Sequence, residues 1–153
     1  MFGESPDSCL RHPYMANKVH QIFVKTTRNT DVIDITPQVL EKTERSGFDL
    51  GALTLFVPGS TAAFTTIEYE SGVINDLKKA IERMAPEDNY YEHNERWGDG
   101  NGYSHVRAAL IGPSLHIPII DGKLTLGSWQ QIVLLDFDNR PRERKIIIQI
   151  SGG

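Results

Sequence analysis

The sequence predicts a single α+β domain, in which a mostly antiparallel or mixed sheet of about eight strands packs with two main helices. A chain of 153 residues is long enough for one domain with a sizeable core. Strand-like segments outnumber helical ones, and the last of them follow one another without an intervening helix. Strands joined by short turns are antiparallel, so an α+β fold is favoured over a doubly wound one.

The first predicted elements are two strands, at residues 20–27 and 31–35, and a helix. Apolar residues alternate along the first strand, which is typical of one buried face. Thr36 and Pro37 predict the start of the helix, with the threonine as its N-cap and the proline in its first turn. Gly47 predicts its end.

The middle of the chain predicts a buried strand at residues 52–57, an alternating strand at 64–69 and the longest helix. Ser71 is its predicted N-cap, apolar residues follow at helical spacing, and Pro86 ends it. Turn residues then separate the remaining segments. The last strands are predicted at residues 105–111, 114–120, 130–137 and 145–150. The domain is expected to span residues 18–153, after an irregular N-terminal extension at 1–17, within which Met15 is an alternative natural start.

Composition excludes several classes of function. The 16 basic and 20 acidic residues give a formal net charge of −4, which argues against a general nucleic-acid binder. No apolar run approaches the roughly 18 residues of a membrane span, and the N-terminal segment lacks the apolar core of a signal peptide. The one cysteine, Cys9, forms no internal disulfide, as is typical of a reducing compartment. We therefore expect a cytoplasmic protein without nucleic-acid or membrane partners.

Residues 91–105, YEHNERWGDGNGYSH, combine imidazole, carboxylate and flexible backbone in one predicted loop. His93 and His105 flank Asp99, and Glu68 ends an earlier strand. Neutral imidazole suits zinc, and carboxylate oxygens suit magnesium or manganese, so a divalent metal site is one interpretation. Proton transfer is a second, because histidine titrates near neutral pH. No short zinc signature is present, and solvated loop histidines are a third interpretation.

Three other stretches carry candidate binding residues. The turn with Ser60 and Thr61 follows a buried strand and either offers hydroxyl and amide donors to a phosphate or is an ordinary turn. Trp129 and Gln130 suit a planar ring that is stacked and hydrogen-bonded at its edge, although packing is favoured for the tryptophan. The basic run at residues 140–145 is a hairpin turn or, as the sharper interpretation, a phosphate-binding turn.

Together these segments resemble the YjbQ family, also called UPF0047 or secondary thiamine-phosphate synthase enzymes. The likeness runs from about residue 18 to residue 150 and includes PGSTAAFTTIEYE, the loop from Gly98 to His105, and GPSLHIPIIDGKLTLGSWQQ. Its most specific part is a serine, an alternating strand, a glycine turn and then Leu-Gly-Thr/Ser-Trp-Gln. Here these residues are Ser114, Gly122, Leu126, Gly127, Ser128, Trp129 and Gln130.

The resemblance implies a compact α+β fold, assembly as a homotrimer and a weak thiamine-phosphate synthase activity. That reaction joins a pyrimidine pyrophosphate to a thiazole phosphate and releases pyrophosphate. Many family members have a histidine where this chain has Gly59, so a difference in activity or substrate is expected if that histidine takes part in the chemistry. The polar residues that match the family pattern are Glu68, His93, Asp99, Asn101 and His105.

On this basis we expect a small phosphorylated metabolite as substrate and a divalent metal, Mg, Mn or Zn, as cofactor. The catalytic candidates are Glu68, His93, Asp99 and His105, and the metal candidates among them are His93, Asp99 and His105. The ligand-binding candidates are Ser60, Thr61, Asn101, Ser114, Trp129 and Gln130. Two alternatives stay open: a metal-dependent hydrolase or isomerase of another phosphorylated metabolite, and a non-catalytic trimer that binds a metal or ligand.

Overall fold

The computed structural model describes residues 15–28 and 30–153. Cys9 and most of the predicted N-terminal extension lie outside the described residues, and the first strand already begins at Ala16. The elements in chain order are β1 (Ala16–Lys25), β2 (Asp31–Asp34), α1 (Thr36–Glu44), β3 (Leu50–Phe56), β4 (Ala62–Ile67), α2 (Ser71–Met84), α3 (Glu92–Trp97), α4 (Gly102–Ile111), β5 (Ser114–Ile120), β6 (Lys123–Leu124), β7 (Gln131–Asp136) and β8 (Glu143–Gly152).

The strands form two antiparallel sheets, which confirms the predicted α+β class. One sheet has five strands in the order β1-β8-β3-β5-β6, and the other has three in the order β2-β7-β4. Every strand pair within the described residues is antiparallel. The closing strand β8 runs between β1 and β3, so the end of the chain lies in the middle of the larger sheet.

Two apolar clusters build the interior in layers. The first lies between the two sheets, where isoleucines 146, 148 and 150 of β8 meet Ile132 and Leu134 of β7. The second lies on the other face of the small sheet, where Val133 and Leu135 of β7 pack against Ile81 of α2 and Ala108 of α4. Alternate residues of β7 therefore pack into the two different clusters, because successive side chains of a strand point to opposite faces of the sheet.

The starts of two helices differ from the sequence prediction by one residue. Ile35 rather than Thr36 is the N-cap of α1, and it has no side-chain capping bond. Asp34 accepts the Thr36 N–H instead, at 2.8 Å. In α2 the N-cap is Glu70 rather than Ser71, because its carboxylate accepts the first free backbone N–H groups of the helix.

Residues 105–111, predicted as a strand, are helical and form most of α4. Their inward face shows the helical period, but part of it is polar: Ser104 and Arg107 are buried beside Tyr103 and Ala108. The preceding loop also contains the short helix α3, which has no buried residue. The described chain therefore has four helices rather than two, and the two additional ones carry the histidine-rich stretch.

The outer face of the five-stranded sheet carries exposed apolar side chains. Val19 and Phe23 of β1 are about 60% exposed, and Leu50, Phe56 and Ile120 project from β3 and β5 on the same face. No helix among the described residues is long and apolar enough to cross a membrane.

Candidate functional site

Two short helices place the histidines of the loop side by side. The glycines 98 and 100 adopt left-handed backbone angles, with φ of 66° and 67°, and turn the chain sharply between α3 and α4. Gly102 allows the two helix starts to touch, because a Cβ there would lie 2.6 Å from Cβ of Tyr91. Its N–H donates to Oδ1 of Asn94 at 2.9 Å. Residues 91–105 therefore form two short helices joined by a tight turn rather than an open loop.

The rings of His93 and His105 pack against each other, with centroids 4.4 Å apart and planes tilted by 46°. Nε2 of His93 lies 3.3 Å from Oδ1 of Asp99. The buried side chain of Asn101 completes the group. With its amide nitrogen turned toward the carboxylate, it lies 3.1 Å from Oδ1 of Asp99 and 3.2 Å from Nε2 of His93.

This arrangement gives His93 a partner in each protonation state. When Nε2 carries a proton it donates to Asp99, and when Nε2 is bare it accepts from the Asn101 amide. The neutral form of the second imidazole, His105, is favoured, because burial and then the neighbouring His93 lower its pKa. Asp99, Asp138 and the Ser60 backbone oppose this lowering only in part. Imidazole is the side chain that most often serves as general acid or base, so the geometry of the pair suits proton transfer.

His105 also lines an open cleft of about 170 Å³. The cleft lies between the turn that follows β3 and the inner side of α4. Its lining residues are Gly59, Ser60, Ala62, His105, Ala108, Ala109 and Pro113. Small side chains dominate the lining, so a ligand could approach the backbone of the turn closely.

Beneath the turn lies a buried network of two arginines and two aspartates. Arg144 donates from Nε to Oδ2 of Asp136 at 2.7 Å and from Nη2 to Oδ1 of the same carboxylate at 2.8 Å. Arg142 donates from Nε to Oδ2 of Asp138 at 2.7 Å. The hydroxyl of Thr61 connects the two pairs, since it donates to Asp138 and accepts from Arg144.

Burial by itself would raise the pKa of Asp138. The hydrogen bond and charge of Arg142, together with the hydrogen bond from Thr61, outweigh burial and hold that pKa below its usual value. Asp138 therefore stays ionised beneath the turn.

The predicted site residues separate into two groups along β4. Ser60, Thr61, His93, Asp99, Asn101 and His105 gather near its first residue, Ala62, which pairs with Asp136. Ser114 is exposed at the start of β5, next to Pro113 of the cleft.

Glu68, Trp129 and Gln130 lie at the other end, where Ile67 pairs with Gln131. There Gln130 donates to Oγ1 of Thr66 at 2.8 Å, and the Trp129 side chain is 74% exposed. Six residues of β4 separate the two groups, which is about 16–20 Å of extended chain, so a single copy of the chain does not bring them into one site.

The proposed metal ligands do not form a ready metal centre. Their chemistry suits zinc or manganese, but among residues 15–28 and 30–153 no group of three or more His, Cys, Asp or Glu side chains is arranged to hold a metal ion. His93, Asp99 and His105 contact one another through a ring–ring contact and a hydrogen-bonded pair rather than converging on one point.

Sequence reasoning missed Asp136 and Asp138, which support the cleft, and it included Arg144 only within the basic run at residues 140–145. That run predicts a hairpin turn or a phosphate-binding turn, and residues 137–142 do connect β7 to β8. Arg144, however, already lies inside β8 and is 8% exposed. The available signal was an arginine at an inward position of an otherwise apolar strand, since a buried charge needs a partner.

Comparison with known proteins identifies the family. The model of the family described as UPF0047 protein YjbQ-like matches residues 20–153. The chain belongs to the YjbQ family. A UPF0047 protein of Methanothermobacter thermautotrophicus is 36% identical over 139 residues, covering 91% of this chain and 95% of that protein. The YjbQ-family protein YugU of Bacillus subtilis is 34% identical and covers 84% of this chain and 96% of its own length.

Solved structures of similar proteins have the same fold. A YbjQ-like protein of unknown function from Sulfolobus solfataricus superposes with a TM-score of 0.87 at 34% identity, covering 92% of this chain and 100% of that one. A hypothetical protein from Aeropyrum pernix gives a TM-score of 0.83 at 32% identity, with 89% and 99% of the two chains covered. The YjbQ fold therefore extends over nearly all of the described chain.

Proposed function

We propose that the cleft beside His105 binds and converts a small phosphorylated metabolite, with the thiamine-phosphate synthase reaction as the first candidate. The observation that supports this most directly is the paired imidazoles of His93 and His105, which have a carboxylate and an amide as partners at the edge of a cleft. The resemblance to the YjbQ family supplies the reaction.

The reaction needs donors that stabilise a departing pyrophosphate. The C–O bond to the pyrophosphate breaks, and a C–N bond to the thiazole nitrogen forms, which leaves thiamine phosphate and pyrophosphate. Negative charge gathers on the departing oxygen, so hydrogen-bond donors fixed near it lower the barrier. His105 lines the cleft and can donate a hydrogen bond or a proton there, while its neighbour His93 is held by Asp99. Ser60 offers the turn's hydroxyl and backbone N–H to the phosphate.

The test is product formation from the two substrates. Purified protein is incubated with the pyrimidine pyrophosphate and the thiazole phosphate, with Mg²⁺ present, and thiamine phosphate is quantified by mass spectrometry. We expect a His93→Gln, His105→Gln double variant to lose at least about 100-fold in rate, the typical contribution of general acid–base catalysis.

The control is Glu41→Gln. Glu41 lies on α1, where it forms a surface pair with Arg45 away from the cleft. Its replacement should leave the rate unchanged. Equal rates for the wild type and the double variant would refute the role of the histidine pair, and no product from the wild type would exclude this reaction.

Two alternative functions use the same residues. A metal-dependent hydrolase or isomerase of another phosphorylated metabolite is favoured by the two imidazoles and the carboxylate of Asp99, although these groups would have to rearrange to bind a metal. Elemental analysis of untagged protein, repeated on the double histidine variant, tests it. Near-stoichiometric metal that is lost in the variant would support it, and a panel of phosphorylated metabolites would then identify the substrate.

The second alternative is a non-catalytic trimer that binds a ligand or metal. It predicts stoichiometric binding without turnover of any phosphorylated metabolite in the panel. The trimer itself is part of the main proposal, and the exposed apolar side chains on the outer face of the five-stranded sheet support it. A Phe23→Asp, Phe56→Asp variant should be monomeric by light scattering, whereas a monomeric wild type would refute assembly.

A cyclic trimer would also explain the separation of the site residues. In a head-to-tail interface, different patches of two copies meet. Glu68, Trp129 and Gln130 of one copy could then reach the histidine cleft of the next, and the exposed tryptophan would stack on the ligand's ring. Mixing a Trp129→Ala variant with the double histidine variant tests this, because mixed trimers would regain activity that neither variant has alone.

A further inference from the structure

The buried Arg144 has hydrogen-bonding capacity that the protein does not use. A guanidinium has five N–H donors. Three of them are occupied: Nε bonds Asp136, and Nη2 bonds both Asp136 and Thr61. Within the described chain, Nη1 donates to no protein acceptor, although the side chain is only 9% exposed. Nη1 is nevertheless not enclosed, since the fully buried side-chain atoms without a hydrogen-bond partner among the described residues are Nε2 of His20 and the Tyr103 hydroxyl. An acceptor that reaches Nη1 would gain a charge-assisted hydrogen bond.

The unused nitrogen lies beside Gly59, which lines the cleft together with Ser60 and His105. A Cβ built on Gly59 would meet Nη1 of Arg144 at 3.4 Å and no other atom within 4 Å outside the neighbouring residues of the chain. The φ of Gly59 is 138°, a backbone angle that favours glycine. Because Gly59 has no side chain, it leaves Nη1 uncovered at this point of the cleft wall.

We infer that this chain has an oxyanion subsite at Gly59, in which Nη1 of Arg144 donates to an oxygen of a phosphate or pyrophosphate group. Ser60 and His105 flank the same space and supply further donors. A planar guanidinium whose other edge is fixed by a carboxylate is well suited to a tetrahedral oxyanion. The inference rests on the proposed function for its choice of ligand class and assigns the position of the phosphate within the cleft.

The charges around Arg144 determine how strongly anion binding depends on ionic strength. Asp136 and Asp138 balance Arg144 and Arg142, so the buried network has no net charge. An anion is therefore held by directed hydrogen bonds rather than by a strong positive potential. Binding should then depend on ionic strength less than binding to an exposed basic patch does.

The experiment measures binding of inorganic pyrophosphate to the full-length protein by isothermal titration calorimetry at pH 8 and constant ionic strength. Arg144→Lys keeps the charge but removes Nη1, and we expect it to bind at least about ten-fold more weakly, which corresponds to one lost charged hydrogen bond. Arg142→Lys is the matched control, because Arg142 bonds the same Asp138 but does not face Gly59. Its affinity should stay within about two-fold of the wild type.

Equal affinity for wild type and Arg144→Lys, or no binding by the wild type, would overturn the inference. If circular dichroism shows that Arg144→Lys does not fold, Gly59→Ala decides, because its methyl group would lie 3.4 Å from Nη1 and leave both partners of each ion pair in place. The φ of 138° strains alanine at this position, so circular dichroism also checks the fold of Gly59→Ala. Unchanged affinity in Gly59→Ala would then overturn it. Pyrophosphate binding that depends on Arg144, without product formation, would leave this inference standing and refute the proposed reaction alone.

Discussion

Breaking the buried ion pair between Arg144 and Asp136 should destabilise the protein strongly, and Asp136→Asn tests this. Asp136 is 3% exposed and its carboxylate accepts two hydrogen bonds from the guanidinium, at 2.7 and 2.8 Å. An amide in its place sets an N–H group against an arginine N–H and leaves the buried cation with only the more distant carboxylate of Asp138, 3.6 Å from Nη2. Breaking one side of a buried pair costs about 3–5 kcal/mol. For a domain of this size that loss lowers Tm by roughly 6–20 °C.

The assay is urea denaturation followed by circular dichroism at one fixed protein concentration, since assembly would make stability depend on concentration. The control is Glu41→Gln, which removes the surface pair of Glu41 with Arg45, whose side chains are 53% and 70% exposed. This control should lose no more than about 0.5 kcal/mol. A loss below about 1 kcal/mol in Asp136→Asn would refute the reasoning, because the two pairs would then be equivalent despite their difference in burial.

Three further predictions concern positions elsewhere in the domain. Burial and His93 lower the pKa of His105, so the unfolded chain binds more protons than the folded protein as pH falls through about 6.5, and the free energy of unfolding decreases. In urea titrations at pH 7.5 and 5.5, His105→Gln should show a smaller decrease between the two pH values than the wild type does. A Cβ at Gly51 would clash with the backbone of the neighbouring strand, so Gly51→Ala should lower the free energy of unfolding by at least about 3 kcal/mol in urea titrations. Gly47 lies in open space with a φ of 68°, so Gly47→Ala should lower it by only about 1–2 kcal/mol. Trp129→Ala should change the unfolding free energy of the single chain by less than about 0.5 kcal/mol, and a loss above about 2 kcal/mol would show that the indole is packed.

The strand prediction for residues 105–111 failed for a physical reason. Apolar periodicity reports a buried face only when that face is apolar, but the inward face of α4 includes Ser104 and Arg107. Their burial is possible because Ser104 donates to the Phe137 carbonyl at 2.6 Å, and Arg107 bonds Glu82 of α2 and the Ala85 carbonyl. Those partners are distant in sequence, so the sequence pattern carries no sign of them.

The candidate site was only partly predictable. The composition of residues 91–105 was enough to select His93, Asp99 and His105 as neighbours, and the structure places them in contact. Grouping Trp129 and Gln130 with them came from family motifs, and a motif does not report which end of a strand a residue occupies. Their position at the far end of β4 emerged only from the pairing of β4 with β7.

By itself, the sequence determined the α+β class, the single domain and the membership of the YjbQ family, because strand periodicity, turn residues and ordered motifs are local properties of the chain. Only the tertiary structure decided that Arg144 lies beneath Gly59. The pairing of β8 between β1 and β3 directs this arginine inward, and Asp136 and Thr61 fix its orientation. Such a contact depends on long-range strand pairing, and the free energy of ion pairing is available only once the partners are buried together.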